Sequence, residues 1–579
     1  MLRTLRPLWP YLWRYRRSLA LGMAALVAKD LAAAAQPLII RAAVDALTHA
    51  LDFAAALRFS ALLVAAALLR GLFQYWMRVI LIGTSRDIEY DLRNDLFRHL
   101  VELAPDFHAR HRTGDIMARA TNDLNAVRMM LGPGIMYWTE TSLTFVLAVG
   151  VMLAFDWRLT VLAILPAPLV SVAVMVFGRK IHDRFEKIQE MFSDISSRVQ
   201  ENLSGVRMIR AYVQERAEID RFQELNRRYI GENIRLVRIS GLFEPLLEAL
   251  IGLTFLIVLW AGGVRVLEGR LSLGSFVMFN TYMGMLVWPM IALGWVVNLM
   301  QRGTASFERI RQMVEERPSI AAPPDPAALP APRGEVEFRG VSVAYSSGTA
   351  LEDIDLRIAA GSTVAVVGHT GCGKSTLVQL IPRLMDPTRG VVLVDGVDLR
   401  RLDPAELRRH IGFVPQETFL FSATIAENIA FGVESASEDR IRRAAELAGL
   451  ADDVEAFPEG YRTMVGERGI TLSGGQKQRT AIARALLRDP RILILDDALS
   501  SVDTLTEERI LTGLAQIFRG RTVILISHRV STVRQADRII VLEKGRIVEQ
   551  GTHAGLLAAG GYYADLYQKQ LLEEELEAI

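Results

Sequence analysis

Six long apolar stretches mark the first half of the chain, roughly at 18–45, 58–82, 133–155, 158–178, 243–264 and 274–300. Each holds the ~20 mainly apolar residues that a helix needs to cross the hydrocarbon core of a bilayer, so six membrane spans are expected. The 81–132 connection carries Arg86, Arg93, Arg98, Arg110, Arg112, Arg119 and Arg128, and the 179–240 connection runs from Arg179 and Lys180 to Arg235 and Arg238. The short connections hold fewer basic residues: Arg58, Arg158, and the pair Arg265 and Arg270. Basic residues stay on the cytoplasmic side, which puts both termini and both long connections in the cytoplasm. Ile88 to Leu103 and Phe192 to Met208 keep a helical apolar period with few breakers. Spans 2–3 and 4–5 are therefore expected to continue as helices beyond the bilayer.

Upstream of the first span, Leu5, Pro7, Leu8, Trp9, Tyr11, Leu12, Trp13 and Tyr15 are interleaved with basic residues that include Arg14, Arg16 and Arg17. No small-residue cleavage site follows a short apolar core, so the stretch reads as an amphipathic helix at a membrane interface rather than a removable signal. A mitochondrial transit peptide, suggested by the lack of acidic residues before Asp30, is the weaker reading. Around 317–334 the composition changes to Pro318, Pro323, Pro324, Pro326, Pro330 and Pro332 diluted with alanine, a semi-rigid linker. No later stretch is long and apolar enough to span. The expected organisation is an all-α six-helix membrane domain over 1–316, a linker over 317–334 and a second, α/β domain over 335–579.

Composition narrows the classes further. Half of the 579 residues are apolar, and the mean hydropathy of +0.23 is high for a soluble enzyme. A formal net charge of +1 gives no support to a basic nucleic-acid surface. The single cysteine, Cys372, excludes an intrachain disulfide and suits a reducing compartment.

The candidate chemistry lies in the second half. The apolar strand Thr363–Val367 runs into Gly368-His369-Thr370-Gly371-Cys372-Gly373-Lys374-Ser375, followed by Thr376. This fits the phosphate-binding pattern GxxxxGK[ST] in its required place between a strand and a helix. Glycines let backbone N–H groups wrap phosphates, and the following helix adds its positive end. Lys374 is expected to reach the β- and γ-phosphates, and Ser375 to bind Mg²⁺. A second apolar run, Arg491 to Leu495, ends in Asp496 and Asp497. It reads as a strand inside a parallel sheet, with Asp496 placed to hold Mg²⁺ and Asp497 to orient the attacking water.

Between these runs lies Leu472-Ser473-Gly474-Gly475-Gln476, ahead of the basic stretch Lys477 to Arg488. LSGGQ about 100 residues after a phosphate loop and some 20 before an aspartate-ended strand resembles the ATP-binding-cassette (ABC) proteins. In that family's pattern, Tyr345 is similar to the aromatic that stacks on adenine. Gln416, in Val414-Pro415-Gln416, is similar to the glutamine that contacts Mg²⁺ and the membrane domain. Ser500-Ser501-Val502-Asp503 resembles the D-loop, and His528 the switch histidine. The membrane half resembles the exporter branch: Thr113-Gly114-Asp115-Ile116 with Thr121-Asn122-Asp123 is similar to the first intracellular loop. Glu201-Asn202-Leu203-Ser204-Gly205 with Ile209-Arg210-Ala211-Tyr212 is similar to the second. Thr463 to Gly469 resembles the exporter segment that touches those loops. The resemblance covers nearly the whole chain and points to the bacterial multidrug and lipid exporter half-transporters.

What the resemblance implies is an ATPase, using ATP and Mg²⁺, that drives alternating access in a multi-pass protein of the cell (inner) membrane. The signature Ser473 to Gln476 of one cassette caps nucleotide on the phosphate loop of another, so a second half-transporter is the implied partner. Where active cassettes carry glutamate this chain has Asp497, whose shorter side chain withdraws the carboxylate by roughly 1 Å, a displacement that can cost about 10²-fold in rate. Related exporters with this replacement are commonly heterodimers, so the chain is expected to be the slow-site subunit of one. Candidate cavity residues are Lys29 and Asp30; Arg70, Gln74 and Arg78 on one face; Glu244 and Glu248; and Trp138, Tyr282, Trp288 and Trp295. Intramembrane ionisable groups are candidates by default, and the mixture suits amphipathic drugs or lipids. The alternatives are an importer of a nutrient or siderophore on the same fold, a homodimeric lipid flippase, a DNA-repair or chromosome ATPase and a ligand-gated channel. Six spans and near-neutral charge argue against the DNA-associated class.

Overall fold

The computed structural model describes residues 6–49, 53–329, 331–345, 348–466, 469, 472–501 and 504–577. Leu5, Pro330, Val502, Asp503 and two residues of the Thr463–Gly469 segment, Glu467 and Arg468, lie outside these. The described residues form two compact units, one of Met1–Val101 with Arg112–Glu316 and one of Glu102–His111 with Arg317–Ile579.

In the first unit six helices are long and apolar enough to cross a membrane: Arg16–Thr48, Phe53–Glu102, Thr113–Phe155, Trp157–Ser204, Glu215–Leu267 and Leu273–Val314. The second has 50 residues, about 75 Å of helix against ~30 Å of hydrocarbon. Its charged second half therefore projects from the bilayer, as do the matching parts of the third, fourth and fifth. Helix continues there because the projecting stretches, such as Ile88 to Leu103, keep a helical apolar period with few breakers. The short helix Trp9–Arg14 precedes the first span. Tyr11 donates to Asp95 at 2.7 Å and Tyr15 to Asp91 at 3.0 Å on the second helix, while Trp9 and Trp13 stay exposed.

Short loops close the opposite end. Asp156 caps the fourth span by accepting from the N–H groups of Arg158 and Leu159, each at 3.0 Å, and is ion-paired with Arg265. Asp45 accepts from the backbone N–H of Gly274 at 2.8 Å, where a Cβ would stand 2.3 Å from the Arg41 carbonyl oxygen. Close approach recurs between the third and sixth spans, where a Cβ on Gly303 would meet the Met130 Cβ at 2.3 Å. Small residues at such crossings let helices pack in the absence of a hydrophobic drive between them.

The second unit carries ten strands: β1 Val336–Tyr345, β2 Gly348–Ile358, β3 Thr363–Val367, β4 Arg389–Val394, β5 Val397–Asp398, β6 Ile411–Val414, β7 Ile492–Asp496, β8 Thr522–Ile526, β9 Arg538–Glu543 and β10 Arg546–Gly551. They form an antiparallel sheet in the order β2-β1-β4-β5 and a second sheet in the order β10-β9-β3-β8-β7-β6, parallel from β9 to β6. Period-2 alternation splits the parallel strands between two cores. Ala365, Val367, Leu493, Leu495, Val523 and Leu525 join the helices on one face. Val364, Val366, Ile492, Ile494, Ile524 and Ile526 pack with Phe338, Val341 and Leu351 on the other. Burial on both faces explains the unbroken apolar runs in the sequence.

Gly303→Ala should lower the thermal midpoint of the purified full-length protein, by overpacking worth about 1–3 kcal/mol. A Gly303→Ala protein as stable as wild type would remove the close approach from the account.

Candidate functional site

In the parallel sheet the ends of β3, β7, β8 and β6 fall along one edge, the place where ligands of open α/β sheets bind. Each strand end delivers part of the lining there. The loop after β3 carries Thr370, Gly371, Gly373, Lys374, Ser375 and Thr376; β7 ends in Asp496, with Asp497 next to it; β8 is followed by His528 and β6 by Gln416. With Tyr345 at the end of β1 and Gly348, Thr349 and Ala350 on β2, they line a cavity of about 380 Å³.

The loop can turn this tightly because of its glycines. Gly368 has φ +151° and a Cβ there would meet the Leu542 carbonyl oxygen at 2.2 Å; Gly373, at φ +103°, begins the helix Lys374–Gln379 with no side-chain cap. The Lys374 ammonium is buried and donates to the carbonyls of Gly368 at 2.7 Å and His369 at 3.0 Å. Ser375 Oγ donates to Asp496 Oδ1 at 3.1 Å. Among the described residues no cluster of three or more His, Cys, Asp or Glu forms a metal cage. A hydroxyl beside one carboxylate suits a small hard cation that keeps waters and shares the oxygens of a phosphate ligand, as Mg²⁺ does. Tyr345 is exposed, its hydroxyl 3.4 Å from both Thr376 Oγ1 and Met385 Sδ.

Burial, reinforced by the Asp497 charge, raises the Asp496 pKa above the usual carboxylate value, while the Ser375 hydrogen bond and the charges of Lys374 and His528 oppose the shift. Asp497 Oδ2 accepts from Gln416 Nε2 at 3.5 Å. Its backbone has φ +50°, a left-handed conformation that aspartate tolerates better than most L residues.

Gly368, His369 and Cys372 stand behind the lining rather than in it. Gly368 and His369 accept from Lys374, the His369 ring lies edge-on to Tyr562 at 5.3 Å, and Cys372 is buried. The cavity lining also includes none of Ser473, Gly474, Gly475 or Gln476 among the described residues. Ser473 instead caps the helix Gly474–Leu487 in a reciprocal box with Gln476, at 3.3 and 3.0 Å. Ser473 and Gly474 are exposed. Asp503 lies outside the described residues.

The structure adds Gln478, which sequence reasoning passed over inside a basic helix. Its amide donates to Ser500 Oγ at 3.0 Å and to the Asp497 carbonyl at 3.5 Å, and accepts from the Ser501 N–H at 3.0 Å. It ties the signature helix to the loop beyond Asp497. Only its helical phase, on the buried side beside Ala481 and Ile482, could have flagged it.

Comparison with known proteins agrees with this geometry. Residues 19–290 match the family model "ABC transporter transmembrane region" and residues 351–500 match "ABC transporter". The chain is 41% identical to the probable multidrug resistance ABC transporter ATP-binding/permease protein YheI of Bacillus subtilis, over 86% of this chain and 85% of that one. It is 38% identical to the multidrug resistance-like ATP-binding protein MdlA of Escherichia coli, over 98% and 97%. It is also 38% identical to the ATP-dependent lipid A-core flippase of Syntrophus aciditrophicus, over 88% and 85%. The solved structure of a bacterial Atm1-family ABC exporter with ATP bound superposes with a TM-score of 0.79 at 30% identity, covering 96% of this chain and 98% of that one.

Asp496→Asn should raise the thermal midpoint of the nucleotide-free full-length protein at neutral pH. A carboxyl whose folded pKa exceeds its unfolded value destabilises the fold when ionised. The gain should therefore be full above the folded pKa and fade as pH falls toward the unfolded value. A gain that is unchanged or grows on acidification would reverse the assignment.

Proposed function

Because this chain belongs to the ABC transporter family, as an exporter-type half-transporter with its membrane region fused to its cassette, we propose that it exports or flips amphipathic drugs or lipids as one subunit of a dimer. It is a multi-pass membrane protein and an ATPase coupled to transport. In this reading the cassette, both termini and the helical extensions are cytoplasmic, and the protein resides in the cell (inner) membrane. The domains divide at 1–316, 317–334 and 335–579. The observation that supports it best is the convergence of Lys374, Ser375, Asp496, Gln416 and His528 on one sheet edge, in a chain that also carries six spans.

Within the pocket, Gly368 to Thr376 wrap the phosphates, Lys374 supplies positive charge to the β- and γ-phosphates and Tyr345 stacks on the base. Ser375, Asp496 and Gln416 would hold Mg²⁺, which supplies charge neutralisation to the phosphate oxygens when bound. Asp497 orients the attacking water, and His528 holds the γ-phosphate side. Ser473, Gly474, Gly475 and Gln476, together with Asp503, cap nucleotide on a partner's loop, a role that the exposure of Ser473 and Gly474 away from this chain's own cavity supports. Nucleotide then joins two cassettes and hydrolysis releases them, a two-state element that the long helices carry into the membrane.

Lys374→Ala should weaken binding of a fluorescent ATP analogue about 10- to 100-fold, the worth of a hydrogen-bonded charge, and abolish ATP-driven transport in proteoliposomes. Undiminished transport by the assembled variant would overturn the role of the loop.

The position of Asp497 supports a heterodimer with unequal sites. Its shortened carboxylate weakens the site on this chain's own loop, whereas the intact Ser473–Gln476 segment completes the site on a partner's loop. A homodimer would repeat the weak position in both. Purified alone, the chain should show low ATPase activity, rising at least about tenfold with a glutamate-bearing partner or on Asp497→Glu. Brisk, substrate-stimulated activity from the lone chain, unchanged by Asp497→Glu, would point to the homodimer.

A further inference from the structure

Two adjacent ionisable residues of the first span, Lys29 and Asp30, are almost wholly buried, at 4% and 2% exposure. The Lys29 ammonium sits between two carboxylates, 2.8 Å from Asp30 Oδ1 and 2.5 Å from Glu140 Oε1 on the third span. One ammonium against two carboxylates leaves a negative charge uncompensated. The Asp30 Oδ2 oxygen is buried with no hydrogen-bond partner. Among the described residues, the arginines on nearby turns are engaged elsewhere, Arg41 with Asp45 farther along the same helix and Arg70 of the second span with Gln36, and the Thr144 hydroxyl beside Asp30 carries no charge.

The surroundings make this costly. On one side, a turn away, lies an apolar cluster of Ala25, Leu26, Met77, Leu81 and Met136. On the other, Ala33 and Ala34 are buried and the Tyr282 hydroxyl of the sixth span donates to the Ala34 carbonyl at 2.5 Å. Lys29 lies ~20 Å along a helix that starts at Arg16, so the group stands deep within the span. A buried charge without a counter-charge is strongly unfavourable unless something pairs with it. Glu140, a quarter exposed at its side chain, is the accessible end of the group.

We propose that Lys29, Asp30 and Glu140 form a recognition site for the cationic head of an amphipathic substrate. The incoming cation meets Glu140, draws on the uncompensated charge and displaces part of the Lys29 interaction toward Asp30, whose free oxygen accepts it. An anionic head would instead meet two carboxylates shielding the lone ammonium. The assignment rests on the reading of the chain as an exporter of amphipathic substrates and names the charge class that its membrane domain prefers.

The test uses the full-length protein in lipid nanodiscs and two probes of equal shape and opposite charge, tetraphenylphosphonium and tetraphenylborate. The wild type should bind the phosphonium more tightly. Glu140→Gln should weaken phosphonium binding at least about tenfold while leaving the borate within about twofold. The double variant Lys29→Met with Asp30→Asn keeps one negative charge and removes the internal ammonium, so it should bind the phosphonium several-fold more tightly. Retained ATP binding identifies folded protein. Glu140→Gln that loses both ions together, or neither, overturns the site, as does a double variant that loses the phosphonium. ATP-driven uptake of an uncharged dye separates the two readings. Uptake without charge selectivity leaves the exporter and removes the site; charge selectivity without uptake keeps the site and removes the exporter.

Discussion

Two neighbouring carboxylates held at the end of one buried strand set the terms for the nucleotide pocket. Asp496 and Asp497 are both buried, and burial together with the neighbouring Asp497 charge raises the cost of ionising Asp496. The pocket answers with donors from separate elements: the Ser375 hydroxyl, the Lys374 ammonium and the side chains of Gln416 and His528. Those groups can meet only where β3, β7, β8 and β6 end side by side. The parallel sheet is thus the device that gathers them, and the apolar runs that looked merely structural in the sequence are what make the gathering possible. Ser375 and Asp496 would hold a phosphate-bound cation, whose charge would complete the same balance from outside.

The membrane unit solves a different problem with the same economy of charge. Where the second helix leaves its apolar stretch, Glu89 pairs with Arg86, Arg93 and Arg128 at 3.1, 2.6 and 3.4 Å. Farther out, Glu232 is ringed by Arg184, Lys187 and Arg235 at 2.9, 3.4 and 2.6 Å, and Arg309 grips Asp123 through both carboxylate oxygens. Individually exposed pairs contribute little, but networks centred on one buried carboxylate fix how neighbouring helices are rotated. Inside the bilayer the spans rely mainly on close contacts and apolar packing, with the Lys29–Asp30–Glu140 group as a charged exception. The change of device along a single continuous helix lets a long lever stay rigid in two solvents.

Much of this was legible from residues alone. Length and hydropathy located six spans, because the requirement to satisfy every backbone group in lipid leaves few alternatives, and the motif order identified the cassette. What was not legible shares a cause: it depends on which residues meet across the fold. Lys29 and Asp30 stand out as charges in an apolar run, yet Glu140 could not be matched to them without the packing of first span on third. Arg70 reads as part of a stripe with Gln74 and Arg78, whereas its partner is Gln36 on another helix. The widened turns at Arg119–Asp123, Met130–Gly134 and Val258–Gly262 interrupt helices whose composition gives little notice beyond Pro133. Gln478 and Tyr562 act through contacts with Ser500 and His369 that no local pattern encodes.

Asp497 shows how backbone and chemistry constrain each other at one position. Its amide N–H donates to the Ile526 carbonyl at 2.9 Å and its own carbonyl accepts from Ser500 Oγ at 3.0 Å, so the turn is held from both sides at φ +50°. A left-handed conformation costs a non-glycine residue roughly 1–2 kcal/mol, and short polar side chains such as aspartate bear it best. Glutamate would reach farther toward a water but carry more of that strain; aspartate relaxes the turn and withdraws the carboxylate. The two effects run in opposite directions, so a chain can gain firmness here only by giving up catalytic reach. In the heterodimer proposed above, that exchange would fall in one of two nucleotide sites, with the partner keeping the longer acid, and the slow site would hold the cassettes together while the fast one turned over.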